Sequence, residues 1–281
     1  MATMTSRPGT LMAVLAHPDD ESLGFGGTLA KYASAGVVTA LVTATRGDRG
    51  RYGHARPGDA AHPGAASLGR VRESELLAAA ATLGVHDVSV LSYGDQQVDQ
   101  ADPGQIIGDI ARQIRRVRPD VVVTFGPDGA YGHPDHIAVS QFTSAAIVAA
   151  ADAACPLSLG DRCLDPHAVS KLYFLAWPAS TWDAYQRAFK TLVSAVDGVE
   201  RHAVPWPDWA ITSMVDTRRV AAAVWRAVQC HASQISAFDR LRSLPDRQLN
   251  ALWEHQCFYR VFSTVNGGRG RETDLFEGIP Q

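Results

Sequence analysis

Two short stretches hold most of the residues able to do chemistry. The first is Ala16-His17-Pro18-Asp19-Asp20-Glu21 and the second is Tyr131-Gly132-His133-Pro134-Asp135-His136. A structural turn needs Gly, Asn or one capping Asp, whereas adjoining carboxylates repel one another unless a cation neutralises them. The first stretch therefore reads as half of a metal site, and the second, with two imidazoles, supplies the other half. His17, one carboxylate of the Asp19/Asp20 pair and His136 form a two-His, one-carboxylate set. Catalytic zinc takes three protein ligands and keeps a position open for water or substrate; the same set also suits Fe(II). The other carboxylate of the pair is then free to act as general base. His133 is placed to stabilise an oxyanion or protonate a leaving amine. Asp135 is expected to hold His133 in the required tautomer.

For these residues to meet, the chain must place the two stretches at one crevice. Apolar or β-branched runs at 11–16, 37–45, 88–93 and 120–125 read as buried strands. Helical patterns at 22–36, 69–84, 103–117 and 134–151 alternate with them. In 69–84 the expected inward stripe is Val71, Leu76, Leu77 and Ala80. Strands alternating with helices imply an α/β fold: a Rossmann-like, mostly parallel sheet with helices on both faces. In the commonest order of such sheets the first and fourth strands are neighbours where the order reverses, and ligands bind beyond their carboxyl ends. The stretch at 17–20 leaves the first strand and that at 133–136 follows the fourth.

Past Cys155 the alternation weakens. A fifth strand is expected at 169–177, then a Trp/Pro-rich stretch at 177–209, a helix at 216–233 with Asp216 as N-cap, and a last strand at 257–262. The expected organisation is one domain over 1–281. Residues 1–155 form the Rossmann-like core, and 156–281 form a smaller C-terminal extension packed on it. The connector 46–68 is rich in Gly, Pro, Arg and Asp, and connectors that long inside a compact domain are usually functional or disordered.

Composition narrows the partners. The chain has 281 residues, 46% of them hydrophobic, enough for a large core. A net charge of −3 with no basic stripe argues against nucleic acid or an anionic membrane surface. No apolar run approaches the ~20 residues of a membrane span, and residues 1–10 lack a signal-peptide layout. Four cysteines without a C-x-x-C pair read as reduced thiols of a cytoplasmic protein. The expected partner is a small molecule, with self-association into a homo-oligomer left open.

The two stretches, with Gly24 and Gly26-Gly27 after the first, resemble the signature motifs of the PIG-L/LmbE-like zinc-dependent deacetylases. Thr45-Arg46-Gly47-Asp48, Arg72-Glu73-Ser74-Glu75, Leu83-Gly84, Tyr93-Gly94-Asp95 and His231-Ala232-Ser233-Gln234 extend the resemblance over about 11–234. It implies a Rossmann-like enzyme that removes the N-acetyl group from an N-acetylglucosamine-containing small molecule, with Zn2+ or another divalent metal. The alternative within the family is an amidase that cleaves another amide, such as a mycothiol-type thiol conjugate. Carried over by position, His17, Asp20 and His136 are the metal ligands and Asp19 the general base. His133 assists the oxyanion and leaving group with Asp135 behind it, Tyr131 polarises the carbonyl, and Arg72 and Asp95 contact the sugar. No role follows for His231. A nucleotide-binding reading of Gly24-Phe25-Gly26-Gly27 fails, because the run departs from G-x-G-x-x-G and the acidic turn before it would repel a pyrophosphate. A binding module without catalysis is disfavoured because every ligand and acid–base position is filled.

Overall fold

The protein is described by a computed structural model that covers residues 8–189, 193–196, 199–202, 204–234, 241, 243–245, 248, 252–265 and 270–280. Its centre is a seven-stranded sheet. The strands are β1 (Thr10–Leu15), β2 (Val38–Thr45), β3 (Asp87–Tyr93), β4 (Val121–Thr124), β5 (Lys171–Leu175), β6 (Ser213–Asp216) and β7 (His255–Ser263). They lie in the order β6-β7-β5-β4-β1-β2-β3. The run from β3 to β5 is parallel, while β7 and β6 add antiparallel strands at the far edge. The reading of a mostly parallel α/β sheet holds. So does the key adjacency, since Leu11, Met12 and Ala13 of β1 pair with Val121, Val122 and Val123 of β4.

The central strands carry no polar/apolar alternation because both their faces are covered; every residue of β1 and β4 is buried. The helices are α1 (Asp20–Leu23), α2 (Gly26–Ser34), α3 (Ala65–Leu83), α4 (Pro103–Val117), α5 (Pro134–Ala151), α6 (Ala179–Phe189) and α7 (Ala221–Cys230). Right-handed crossovers place α2 and α3 on one face and α4 and α5 on the other, because the chain reverses direction across the sheet after β3. Accordingly α3 packs on α7, and α4 on α5.

Several expected boundaries move, each for a physical reason. The helix expected at 22–36 is broken into α1 and α2 around Gly24 and Phe25. The break turns Phe25 fully inward, edge-on to Phe125 at 5.7 Å between ring centroids. The helix expected at 69–84 starts at Ala65, and its buried stripe is Leu68, Arg72, Leu76, Ala79 and Leu83. Val71 and Leu77, assigned to that stripe above, are 36% and 50% exposed. The helix expected at 216–233 starts at Ala221: Asp216 ends β6, and its carboxylate pairs with Arg218 at 2.6 Å instead of capping a helix. The Trp/Pro-rich stretch conceals α6.

Two buried charges bind the C-terminal region to the core. Arg115 of α4, 4% exposed, donates to the carbonyls of Ala149, Ala150, Asp152, Cys155 and Leu164, closing the end of α5 and the segment after it. Glu272 accepts Lys171 Nζ at 2.9 Å, Tyr173 Oη at 2.7 Å and Ser213 Oγ at 2.8 Å, and Arg260 Nη1 lies 2.6 Å away, so one carboxylate ties β5, β6 and β7 together. Lys171 is fully buried and has Glu272 as its counter-ion. Breaking a buried pair from one side leaves an uncompensated charge, so Glu272→Ala should destabilise the fold by about 3–5 kcal/mol. A urea titration of the variant beside wild type checks this; an unchanged midpoint would show that the cluster does not hold the edge strands.

Candidate active site

The site lies beyond the carboxyl ends of β1 and β4. The turn after β1 closes on itself through the His17 N–H, which donates to Asp20 Oδ2 at 2.7 Å. The segment after β4 ends at His133, the N-cap of α5, and the first turn of that helix presents Asp135 and His136. Three side chains converge across this gap. His17 Nδ1 is 3.3 Å from His136 Nε2, His136 Nε2 is 3.4 Å from Asp20 Oδ1, and His17 Nδ1 is 3.7 Å from Asp20 Oδ2. A tetrahedral ion with ligand bonds of ~2.0–2.1 Å sets neighbouring donors roughly 3.3–3.4 Å apart. The two imidazole nitrogens stand at that spacing and each meets a different oxygen of Asp20, so side chains of the right chemical type for a divalent cation are gathered here.

The tautomer of His17 is fixed from behind. Its Nε2 lies 2.9 Å from Asp135 Oδ2 and 3.2 Å from Asp95 Oδ1, and a carboxylate can only accept. Nε2 therefore carries a proton; burial opposes a second one, but the bonds to Asp135, Asp20 and Asp95 outweigh it and raise the His17 pKa well above its usual value, and a bound cation would take the place of the proton on Nδ1. This corrects the expected pairing of Asp135 with His133. The Asp135 main-chain N–H does reach back to His133 Nδ1, at 3.2 Å, but its carboxylate crosses to His17 and also takes the N–H groups of Gln96 at 2.7 Å and Val98 at 3.0 Å. Because His133 Nδ1 is an acceptor, the proton of the neutral His133 ring is on Nε2. Burial, and then the charge on His17, lower the His133 pKa and favour that neutral form. The His133 ring sits 4.8 Å from the rings of both His17 and His136.

The two adjacent aspartates have opposite electrostatics. Burial alone would raise both. At Asp20 it is outweighed by His136 and His17, which hold the carboxyl well below its usual range. At Asp19 burial wins over the opposing Arg72, and with the charge of Asp20 it lifts the pKa to about 6. Carboxylates pushed apart in this way take different roles, one a standing anion and the other a proton acceptor near neutral pH. His136 is pushed down to about 3 by burial, partly offset by Asp20, so it stays neutral.

Asp19 also stands apart in its backbone. It has φ 100° and ψ −24°, a left-handed conformation that a non-glycine residue seldom takes. Arg72 holds the turn from one side: it donates to Asp19 Oδ2 at 3.2 Å, to the Pro18 carbonyl, and to the Gly47 carbonyl at 2.7 Å. Gly47 must be glycine, since a Cβ there would lie 2.1 Å from Arg72 Nη1. Glu21 holds the turn from the other side, accepting the Asp19 N–H at 2.9 Å. Arg72 and Asp95 are thus both in the site but stand on no open, sugar-facing rim. They are 5% and 3% exposed, and they bond Asp19 and His17. Tyr131 is brought in by a kink at Ala130 (φ 63°), and its ring lies 5.3 Å from that of His136.

One participant escapes the sequence reading, and another is only half read. Glu21 reads as a first-turn helix residue or a partner behind the ligands rather than a ligand, and it is fully buried. His231 is also fully buried, with Nε2 2.7 Å from Glu21 Oε1. The one signal available for His231 was its place in the family-like segment at 231–234.

Comparison with known proteins agrees with this geometry. The sequence model of the PIG-L family, described as GlcNAc-PI de-N-acetylase, matches residues 12–147, which contain both stretches. A protein of Kineococcus radiotolerans named 1D-myo-inositol 2-acetamido-2-deoxy-alpha-D-glucopyranoside deacetylase is 34% identical over 310 residues, covering 97% of this chain and 84% of its own. Among solved structures, the N,N'-diacetylchitobiose deacetylase of Pyrococcus horikoshii shares the fold at a TM-score of 0.57 and 19% identity, over 87% of this chain and 73% of that one. The 4-carboxy-2-hydroxymuconate hydratase of Pseudomonas putida KT2440 shares it at 0.65 and 20%, over 92% and 99%. With the relative's similarity running the length of the chain and the motif residues gathered in one site, the chain belongs to the PIG-L, or GlcNAc-PI de-N-acetylase, family.

Proposed function

We propose that this protein is a metal-dependent hydrolase that removes the N-acetyl group from an N-acetylglucosamine-containing small molecule. The observation that carries the reading is the His17–Asp20–His136 triangle, with Asp19 beside it at a pKa of about 6. The names of the relatives give the substrate to try first, the N-acetylglucosamine glycoside of inositol. His17 Nδ1, Asp20 and His136 Nε2 would hold the metal, and zinc suits the set. A divalent ion there would lower the pKa of water and polarise the acyl carbonyl.

The residues of the chain do the rest. Asp19 takes the proton of the attacking water. The His133 Nε2–H faces the region where the carbonyl oxygen gains charge, and donates to it. Tyr131 closes the same side, its hydroxyl kept protonated by burial and by the charges of Asp20 and Asp19. Once protonated, Asp19 or His133 delivers a proton to the leaving amine. Asp135 and Asp95 keep the His17 ring in place throughout. The remainder of the substrate extends toward a cavity of about 710 Å³ lined by Arg49, Gly50, Arg51, Arg56 and Gln96. That cavity adjoins the site, because the Arg49 N–H bonds Asp95 and the Gln96 N–H bonds Asp135. The described cysteines are all unpaired, as a reducing cytoplasm would leave them, and no described helix is long and apolar enough to cross a membrane.

Metal content by elemental analysis, paired with release of acetate from the inositol glycoside, tests the reading. Wild type should hold about one metal per chain and Asp20→Ala should lose both metal and activity. A metal-supplemented wild type that binds none would overturn it. Asp19→Asn should keep the metal and lose ~10²–10⁴ in kcat; full activity would remove the base from Asp19. His133→Ala should lose ~10²–10³ in kcat with the metal retained, and an unchanged kcat would remove the oxyanion role.

A further inference from the structure

His231 is a buried, hydrogen-bonded imidazole that the mechanism above does not use, and it lies outside the part of the chain that the family model matches. It comes from the end of α7, in the C-terminal region, and reaches the turn after β1 from more than 200 residues away. Its Nε2 lies 2.7 Å from Glu21 Oε1 and 3.4 Å from Ser22 Oγ. Glu21 in turn bonds the main chain of Asp19 at 2.9 Å.

We propose that His231, acting through Glu21, is a positioning residue for the general base Asp19, and that the 231–234 segment completes the active site from the C-terminal region. This rests on the role of Asp19 given above. Asp19 sits in a backbone conformation that persists only where the surroundings over-determine it. The acceptor for its N–H is one oxygen of Glu21. Glu21 is fully buried, so its carboxylate needs donors; it has the His231 imidazole and, at 2.5 Å, the Ser22 hydroxyl. Without His231 the buried carboxylate keeps only the Ser22 hydroxyl and the Asp19 N–H itself, both from its own turn. Nothing outside the turn then holds the carboxylate in place, and the Asp19 N–H loses its fixed acceptor.

The rest of the segment holds the walls around the same turn. Ser233 donates through both N–H (2.6 Å) and hydroxyl (2.7 Å) to Glu75 of α3, one turn along from Arg72. Gln234 Nε2 donates to the Arg51 carbonyl at 2.6 Å, and the Gly53 N–H donates to the Ser233 carbonyl at 2.7 Å. Three residues of this four-residue segment thus tie together the base's turn, the helix that carries Arg72, and the long loop that carries Gly47.

The test compares His231→Ala, His231→Gln and Glu21→Gln with wild type. Each is measured for kcat and KM separately, expressed per metal-loaded chain, so that misfolded protein is not counted. A misplaced catalytic group costs about 10² in rate. His231→Ala and Glu21→Gln should each lose about that much in kcat, with KM within about threefold and metal retained. His231→Gln, which keeps an N–H for Glu21, should recover to within about tenfold of wild type. The double variant His231→Ala with Glu21→Gln should be no worse than either single, because both act along one path. An unchanged kcat per loaded chain in His231→Ala and Glu21→Gln overturns the proposal, as does loss of metal in step with activity. Asp19→Asn, run alongside, separates the two levels. Full activity there would sink the base assignment and this proposal with it. A dead Asp19→Asn beside an unimpaired His231→Ala would sink the positioning role alone.

Discussion

The pairing of β1 with β4 carries the whole arrangement. Parallel strands point their carboxyl ends the same way, and the register of Leu11 on Val121 and Ala13 on Val123 brings the ends of these two strands level. The turn that starts at His17 and the turn that leads to His136 therefore open into the same space, 119 residues apart in the chain. Both strands are buried throughout, so neither can slip without exposing apolar surface on two faces. Contacts of 3.3–3.7 Å among His17, Asp20 and His136 need that rigidity, since the side chains belong to separate elements.

Around the triangle the protein gathers charges that would be costly singly. Asp20, Asp135, Asp95 and Glu21 are all buried, and each is matched: Asp20 by His17 and His136, Asp135 and Asp95 by His17, Glu21 by His231. Such a network is stable only if its members are all satisfied, because an unpaired charge in a low-dielectric interior is heavily penalised. Asp19 differs: Arg72 meets it at 3.2 Å, yet its side chain is 20% exposed and its pKa raised. The residue given the proton-transfer role is the one whose charge is least secured.

The fold by itself does not name the chemistry. A hydratase shares this architecture at a TM-score of 0.65 and a deacetylase at 0.57, each at 20% identity or below. Function resides in the side chains at the carboxyl edge of the sheet and in the loops that carry them. In this chain the antiparallel strands β6 and β7 and helix α7 extend the sheet and then return residues 231–234 to that edge.

Local pattern determined a great deal by itself. Apolar runs located the strands β1 to β5, and the spacing of Pro103–Val117 and Pro134–Ala151 located α4 and α5, because burial on one or both faces writes itself into the sequence with a fixed period. The clustering of His17, Asp19, Asp20, His133 and His136 marked the site, since carboxylates and imidazoles so arranged have little structural use. The partners of those residues were decided by tertiary structure alone. Which imidazole the Asp135 carboxylate meets depends on whether it turns along α5 or across to β1. Arg72, which the resemblance sends to the sugar, is seen to bond Asp19 only once α3 turns its Leu68–Leu76 stripe inward. Glu21 and His231 find each other across 210 positions of sequence. Periodicity records whether a side chain is buried; it carries no record of which distant group is buried against it, and at this site that second fact sets the tautomer of His17 and the posture of Asp19.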